Sequence, residues 1–515
     1  MNKSDSSITW LMIMSFAGFG FFANKAMELS GGETFALMFF LFVAGMYIYT
    51  SFKKVTKNNR VYYANPAMAG SFPNYDGVTG GTKWTKAKSI KSEEDGVLID
   101  KFKFDKSVTH EFSPMHEWKE SGLEKDVIIN PKALTRGSLL IGQPGSGKTV
   151  FLEPILKQQW WTRAIIHDTK GSLRAVYYDP RKDIINNPFD AEGSIWDLFE
   201  EARKYPQIIK PFFTNLLNGV LSEKGKGFFP ASVANRYIDI FNKVLVQNLD
   251  TKQSWELFVQ SCKKYFEMAM SGTQKSEMDV VSTMKLIFDF IEYQNYRIQE
   301  DAKTFTIGEF IKRKNAKLFL LNKQSFATFL NPYFGGFIAA YTNIFMDMTK
   351  DNTDEYTLFL LDEYLTFLPM LDEATLTTLH TLIRSKGGCL LPAVQYVPAH
   401  SKELMQKLVN SVDHLFVFQT ADADTIKFIK DTIGKQEHQA KSITKDGFSK
   451  SAQTSDLLSD DILKSLGSDY THVTYIPSRN VLYKGYTTKI DNKAKYPEFI
   501  DAGYNEYLSQ KYSSN

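Results

Sequence analysis

Eight consecutive residues, Gly142-Gln143-Pro144-Gly145-Ser146-Gly147-Lys148-Thr149, fit the phosphate-binding pattern G-x-x-x-x-G-K-[ST] without a mismatch. Glycines let successive backbone N–H groups curl around an anion, and Lys148 reaches the β- and γ-phosphates of a bound nucleotide. The Thr149 hydroxyl suits Mg²⁺, which keeps several waters and takes its remaining ligands from phosphate oxygens. A second group carries the complementary chemistry. The run Tyr356-Thr357-Leu358-Phe359-Leu360-Leu361 ends in Asp362-Glu363. A carboxylate on a neighbouring strand organises the metal, the role assigned to Asp362, and Glu363 would polarise the attacking water as general base. The expected cofactors are therefore ATP and Mg²⁺.

The flanking elements suit that chemistry. Ser138-Leu139-Leu140-Ile141 reads as a buried strand and Val150 to Leu156 as the start of an apolar helix, the strand–loop–helix setting of the motif. Ala164-Ile165-Ile166-His167 ends in Asp168-Thr169-Lys170-Gly171, with charged groups at a strand's carboxyl end, where open α/β sheets bind ligands. Cys389 to Val394 ends in Gln395, which either senses the γ-phosphate and water or merely caps its strand. Between these motifs, Thr378 to Gly388 reads as a helix closed by a glycine pair, with Arg384 and Lys386 in its last turn. A cation there suits the helix dipole; the sharper reading is an arginine finger reaching a neighbouring subunit's nucleotide.

More than two hundred positions separate Lys148 from Asp362, far more than one or two βα units need. Helical spacing of Val233, Tyr237, Phe241 and Val244, then of Trp255, Phe258, Cys262 and Phe266, fills that gap with an all-α insertion. The fold class is α/β: a RecA-like P-loop NTPase domain, an inserted all-α domain and an N-terminal two-helix transmembrane hairpin. The expected boundaries are 1–60 for the hairpin and its basic flank, 61–195 and 303–499 for the nucleotide-binding domain, 196–302 for the all-α domain, and 500–515 for a short polar tail.

The hairpin rests on two uncharged apolar runs, Ile8 to Ala23 and Thr34 to Phe52. Lys53, Lys54, Lys57 and Arg60 follow the second run directly, so the positive-inside bias puts both termini in the cytoplasm. Leu29-Ser30-Gly31-Gly32-Glu33 resembles an ABC-transporter signature loop, but it precedes the P-loop and joins two apolar segments, so it reads as a turn. A net charge of +3 over 515 residues gives no whole-chain argument for nucleic acid. Two distant cysteines, Cys262 and Cys389, build no disulfide framework, and the eight histidines show no zinc-ligand spacing.

Taken together, these residues resemble the type IV secretion coupling proteins of the TraD/TraG/TrwB kind. The specific points are Gly142 to Thr149, Asp168-Thr169-Lys170-Gly171, Asn187-Pro188-Phe189-Asp190-Ala191, Leu361-Asp362-Glu363, Gly387-Gly388-Cys389, Gln395, Thr420-Ala421-Asp422-Ala423-Asp424 and Ile433-Gly434-Lys435. The resemblance runs from the hairpin to about Phe499. It implies a hexameric ATPase anchored in a bacterial inner membrane, handing a relaxase–DNA complex or protein effectors to the channel components of a type IV secretion system. It also assigns Gln395 to the family's sensor position and Arg384 to that of its arginine finger. Three departures stand out: a very short loop between the two apolar runs, Ser172 where an acidic residue often follows the glycine, and no long acidic tail. An FtsK- or HerA-type DNA translocase and a non-hydrolysing, nucleotide-gated docking receptor are the alternatives. The helical insertion argues against the first; Glu363, Gln395 and Arg384 argue against the second.

Overall fold

The computed structural model describes residues 78–81, 97–103 and 124–513, with breaks at 223–229, 272–274, 352, 367, 399–401, 445–446, 468–469 and 480. Both apolar runs of the expected hairpin lie outside these residues. Among the described residues, no helix is long and apolar enough to cross a membrane.

The larger of two compact units is built on an eleven-stranded sheet. Its centre is parallel, in the order β12 (His414–Val417), β4 (Ser138–Ile141), β11 (Gly388–Val394), β10 (Thr357–Leu361), β5 (Arg163–Asp168), β9 (Ala316–Leu321) and β6 (Ile184–Ile185). Each of these strands is buried along its full length, which is why their sequences carry consecutive apolar residues rather than an alternating pattern. Antiparallel strands extend the β12 side: β15 (Thr471–Ile476), β16 (Val481–Tyr486), β2 (Val97–Lys103) and β3 (Glu124–Ile129). In the smaller unit, the described residues belong to a three-stranded sheet of β1 (Val78–Gly81), β13 (Lys435–Thr444) and β14 (Gly447–Asp456).

The strand order differs from the expected one at the acidic pair. Asp362 does not sit on the strand next to that of the P-loop, because β11 pairs with β10 along its length and with β4 through Ala393 and Val394. Strand neighbours are chosen by long-range pairing, which no local run encodes. The consequence is chemical: Gln395, at the end of β11, stands between the P-loop and the acidic pair.

The described residues between Leu198 and Gln299 are mostly helical, and the chain enters and leaves this segment through a two-stranded parallel ribbon, β7 (Ile195–Trp196) with β8 (Thr304–Phe305). Glu201, fully buried, fastens the two ends. Its carboxylate accepts from Trp196 Nε1 at 3.1 Å, from Gly308 N–H at 3.1 Å and from Ile307 N–H. Burial raises the Glu201 carboxyl above the usual range, while those donors pull it down. The insertion also shares its core with the sheet. Its Ile209–Ser222 helix packs on the long Ala327–Met348 helix, where Gly336 leaves room for Phe212. The Cβ of any other residue at 336 would stand 2.9 Å from both the Phe212 ring and its carbonyl.

Asn187-Pro188-Phe189-Asp190 forms the joint between sheet, insertion and C-terminal segment. Asn187 Nδ2 donates to the Leu321 carbonyl at 2.8 Å, and Arg297 Nη1 donates to the Pro188 carbonyl at 2.6 Å. The Phe189 ring stacks on Phe326 at 4.1 Å and on Tyr293 at 5.2 Å. Residues 500–515 are more than the expected polar tail. They include a helix, Tyr504–Ser513, that buries Tyr504 and Tyr507, with Tyr504 edge-on to Phe189 and Lys511 paired with Asp289 and Glu292. Two tyrosines three positions apart provide one apolar stripe in an otherwise polar stretch, too little for the sequence to announce a docked helix.

Candidate functional site

The P-loop is held from both sides. Gly142 N–H donates to the Val394 carbonyl of β11 at 3.2 Å, and Gln143 N–H donates to the Gln419 carbonyl just past β12 at 2.9 Å. Gly145 (φ +78°) and Gly147 (φ +100°) take left-handed backbone that only glycine adopts without strain. No side chain caps the Lys148–Lys157 helix, so its first N–H groups face the loop, and the buried Ser146 Oγ makes no hydrogen bond among the described residues. A concave row of N–H groups at a helix N-terminus is an anion site by construction.

Lys148 folds over this loop, its Nζ donating to the Gly142 carbonyl at 2.5 Å and the Gln143 carbonyl at 3.1 Å. Burial lowers its pKa, Asp362 and Glu363 oppose that, and the exposed Lys170 adds to the lowering. Lys148 thus lies within electrostatic reach of both carboxylates across the end of β11. Burial raises the Asp362 carboxyl above the usual range, neighbouring Glu363 adds to this, and Lys148 draws it back.

Asp362 and Glu363 are fixed by backbone. Asp362 N–H donates to the His167 carbonyl at 3.3 Å, and His167 Nδ1 donates to the Asp362 carbonyl at 2.5 Å. Burial holds His167 neutral, its pKa lowered to about 4, and the Asp362 carbonyl, which can only accept, selects the Nδ1–H tautomer. Glu363 sits at φ +50°, uncommon for a residue with a side chain and a known form of strain at functional sites. Its Oε1 accepts from Gln395 Nε2 at 2.8 Å.

Lys148, Asp362, Glu363 and Gln395 therefore lie together at the carboxyl ends of β4, β10 and β11. Arg384 does not join them. It is exposed, on the short Ile383–Lys386 turn that leads into β11, while Gln395 follows that strand's other end. Seven residues of strand span roughly 20 Å, so Arg384 cannot reach the P-loop of its own chain. Gly387 (φ +76°) ends this turn in left-handed backbone, and Lys386 pairs with Asp351 at 3.2 Å.

The structure also gives Asp168 a role that the sequence leaves open. Its carboxylate accepts from the N–H groups of Gly171 at 2.9 Å, Arg174 at 2.8 Å and Lys170 at 3.3 Å, closing its own loop. Burial, with Asp362 close by, raises its pKa to about 6. Two further contacts carried no sequence signal: the His167 bond to the Asp362 carbonyl, and that of Tyr364 OH, one residue after Glu363, with His380 Nε2 at 2.8 Å. Buried His and Tyr at these positions look like ordinary core residues until the strands are paired.

A family model, the type IV secretion-system coupling protein DNA-binding domain, matches residues 125–457. The coupling protein TraD of Escherichia coli (strain K12) is 23% identical over 351 residues, covering 62% of this chain and 47% of TraD. The chain thus spans about half the length of the curated relative it matches. Among solved structures, the unbound bacterial conjugative coupling protein TrwB has a TM-score of 0.62 at 15% identity, covering 84% of this chain and 98% of that one. The plasmid coupling protein TrwB in complex with ADP and Mg²⁺ has a TM-score of 0.60 at 14% identity, covering 84% and 99%. The likeness to these structures is one of fold.

Proposed function

The chain belongs to the type IV secretion-system coupling proteins, and on that premise we propose that it is an ATPase coupling hydrolysis to the transfer of DNA–relaxase complexes or protein effectors into a secretion channel. The observation that carries the hydrolytic reading is the convergence of Lys148, Asp362, Glu363 and Gln395, with Gln395 bonded directly to the Glu363 carboxylate. The fit to a nucleotide rests on the uncapped helix N-terminus, the left-handed glycines and the Ser146 hydroxyl, which has no partner among the described residues.

Residues Gly142 to Thr149 would cradle the phosphates through backbone N–H groups. Lys148 would exchange its carbonyl partners for β- and γ-phosphate oxygens. Thr149 and Asp362 would hold Mg²⁺, which neutralises charge on the β- and γ-oxygens when bound. Glu363 then accepts a proton from the attacking water. Gln395 fixes one carboxylate oxygen and leaves the other to face that water. Because Arg384 is remote from its own site, a finger role requires a second subunit; in our reading the chain works as an oligomeric ring, a hexamer. We assign Leu198 to Gln299 to an all-α domain within 196–302, and the two apolar N-terminal runs to an inner-membrane anchor with both termini cytoplasmic.

The test is ATP turnover by the detergent-solubilised full chain, with and without single- or double-stranded DNA. Turnover that rises with DNA supports DNA cargo. Turnover indifferent to DNA contradicts that cargo and shifts the assignment to protein effectors, and absence of any turnover overturns the ATPase reading.

A further inference from the structure

The sheet order β12-β4-β11-β10 gives the P-loop two unlike flanks. On the β11–β10 side stand Gln395, Asp362 and Glu363, and both carboxylates act on Lys148. Lys148 serves the β- and γ-phosphates, so the terminal phosphate lies on that side. The opposite flank, formed by β12 and its antiparallel neighbour β15, is where the sugar and base of a nucleotide held that way would extend.

On that side, directly before β15, lies Tyr470. Its ring rests against P-loop Gly147, such that a Cβ at 147 would stand 3.1 Å from Tyr470 Cδ1. Tyr470 is partly exposed and sits at φ +56°, an outlier for a bulky residue. Its surroundings hold it there: Tyr470 N–H donates to the Gly467 carbonyl at 3.3 Å, and Thr487 N–H donates to the Tyr470 carbonyl at 3.2 Å. Tyr470 is not one of the buried core residues. Beneath the P-loop helix, Phe151 already packs on Phe416 at 4.5 Å, on Phe418 at 5.7 Å and on His472 at 5.1 Å. A strained, partly exposed aromatic at the edge of a phosphate site is better suited to a ligand than to packing.

We propose that Tyr470 recognises the nucleoside: its ring supplies the face on which the purine base of the bound nucleotide stacks. The proposal rests on the P-loop reading above. Because every base offers a π-face, stacking separates nucleotides from bare phosphate chains without separating adenine from guanine.

The experiment is calorimetric titration of the detergent-solubilised full chain with ATP, GTP and inorganic tripolyphosphate. Tyr470→Gly removes the ring and suits the left-handed backbone; Tyr470→Phe keeps the ring. Tyr470→Gly should weaken ATP and GTP alike by about ten- to a hundredfold while tripolyphosphate binding is unchanged, and Tyr470→Phe should match the parent chain. Equal weakening of tripolyphosphate, undiminished ATP binding by Tyr470→Gly, or loss of ATP binding in Tyr470→Phe would overturn the proposal. Lys148→Ala separates the two readings. If it binds ATP and tripolyphosphate like the parent chain, the P-loop reading itself fails, whatever Tyr470 does.

Discussion

Gln395 Nε2 donates to Glu363 Oε1 at 2.8 Å, joining the carboxyl ends of neighbouring strands β11 and β10. This bond orients a carboxylate whose own backbone is held at φ +50°. Gln395→Ala should therefore slow turnover by about tenfold or more through a misaligned base, with little change in ATP affinity. Combined with Glu363→Gln it should add far less than its single effect, since both act through one carboxylate. Steady-state kinetics of the two single variants and the double variant measure this. Additive losses would mean that Gln395 acts independently of Glu363.

Arg384 lies at the opposite end of β11 from Gln395. Arg384→Ala should lower turnover only where subunits assemble. Turnover measured across protein concentration, with the assembly state followed by sedimentation, should show parent and variant alike when dispersed and apart when assembled. Equal loss in the dispersed state would rule out a finger acting between subunits.

His167 and Asp168 give opposite pH dependences at adjacent positions. Burial lowers the His167 pKa from 6.5 to about 4, so between these values the unfolded chain binds the extra proton. Stability from this group falls as pH drops through that window, by roughly 3 kcal/mol in full. Burial raises the Asp168 pKa from 3.8 to about 6, so there the folded chain binds the extra proton and stability rises as pH drops. Asp168→Asn should steepen acid destabilisation between about pH 6 and 4, and His167→Asn should flatten it. Urea midpoints against pH decide this; unchanged slopes in both variants would contradict the burial account.

Much of this site is legible in the residues alone. The P-loop is a contiguous octapeptide whose glycines and lysine have one common use, and the unbroken apolar run before Asp362 marks a strand buried on both faces. Gln395 is legible as a polar residue at a strand tip, but its partner is not. The Glu363 contact depends on β11 lying beside β10, a pairing set by tertiary structure. Tyr470 is separated from Gly147 by more than three hundred positions, and neither residue's local sequence points to the other. The insertion's helices follow from their 3.6-residue spacing, whereas their shared core with the Ala327–Met348 helix turns on Gly336, where the missing side chain is the feature.

Gly336 gives a stability prediction. Gly336→Val would push a branched side chain against the Phe212 ring and carbonyl, where even a Cβ stands at 2.9 Å. Overpacking of this kind costs about 1–3 kcal/mol, so thermal unfolding should shift clearly downward. An unchanged melting temperature would show that the insertion is not tightly seated on the sheet's helices.

In our reading, hydrolysis of ATP by this chain depends on Glu363 as the base. ATP turnover by Glu363→Gln, measured beside ATP binding by the same preparation, tests it most directly. Glu363→Gln should keep near-parental binding with turnover down by about a hundredfold or more, and Lys148→Ala should lose both. Parental turnover in Glu363→Gln would contradict it.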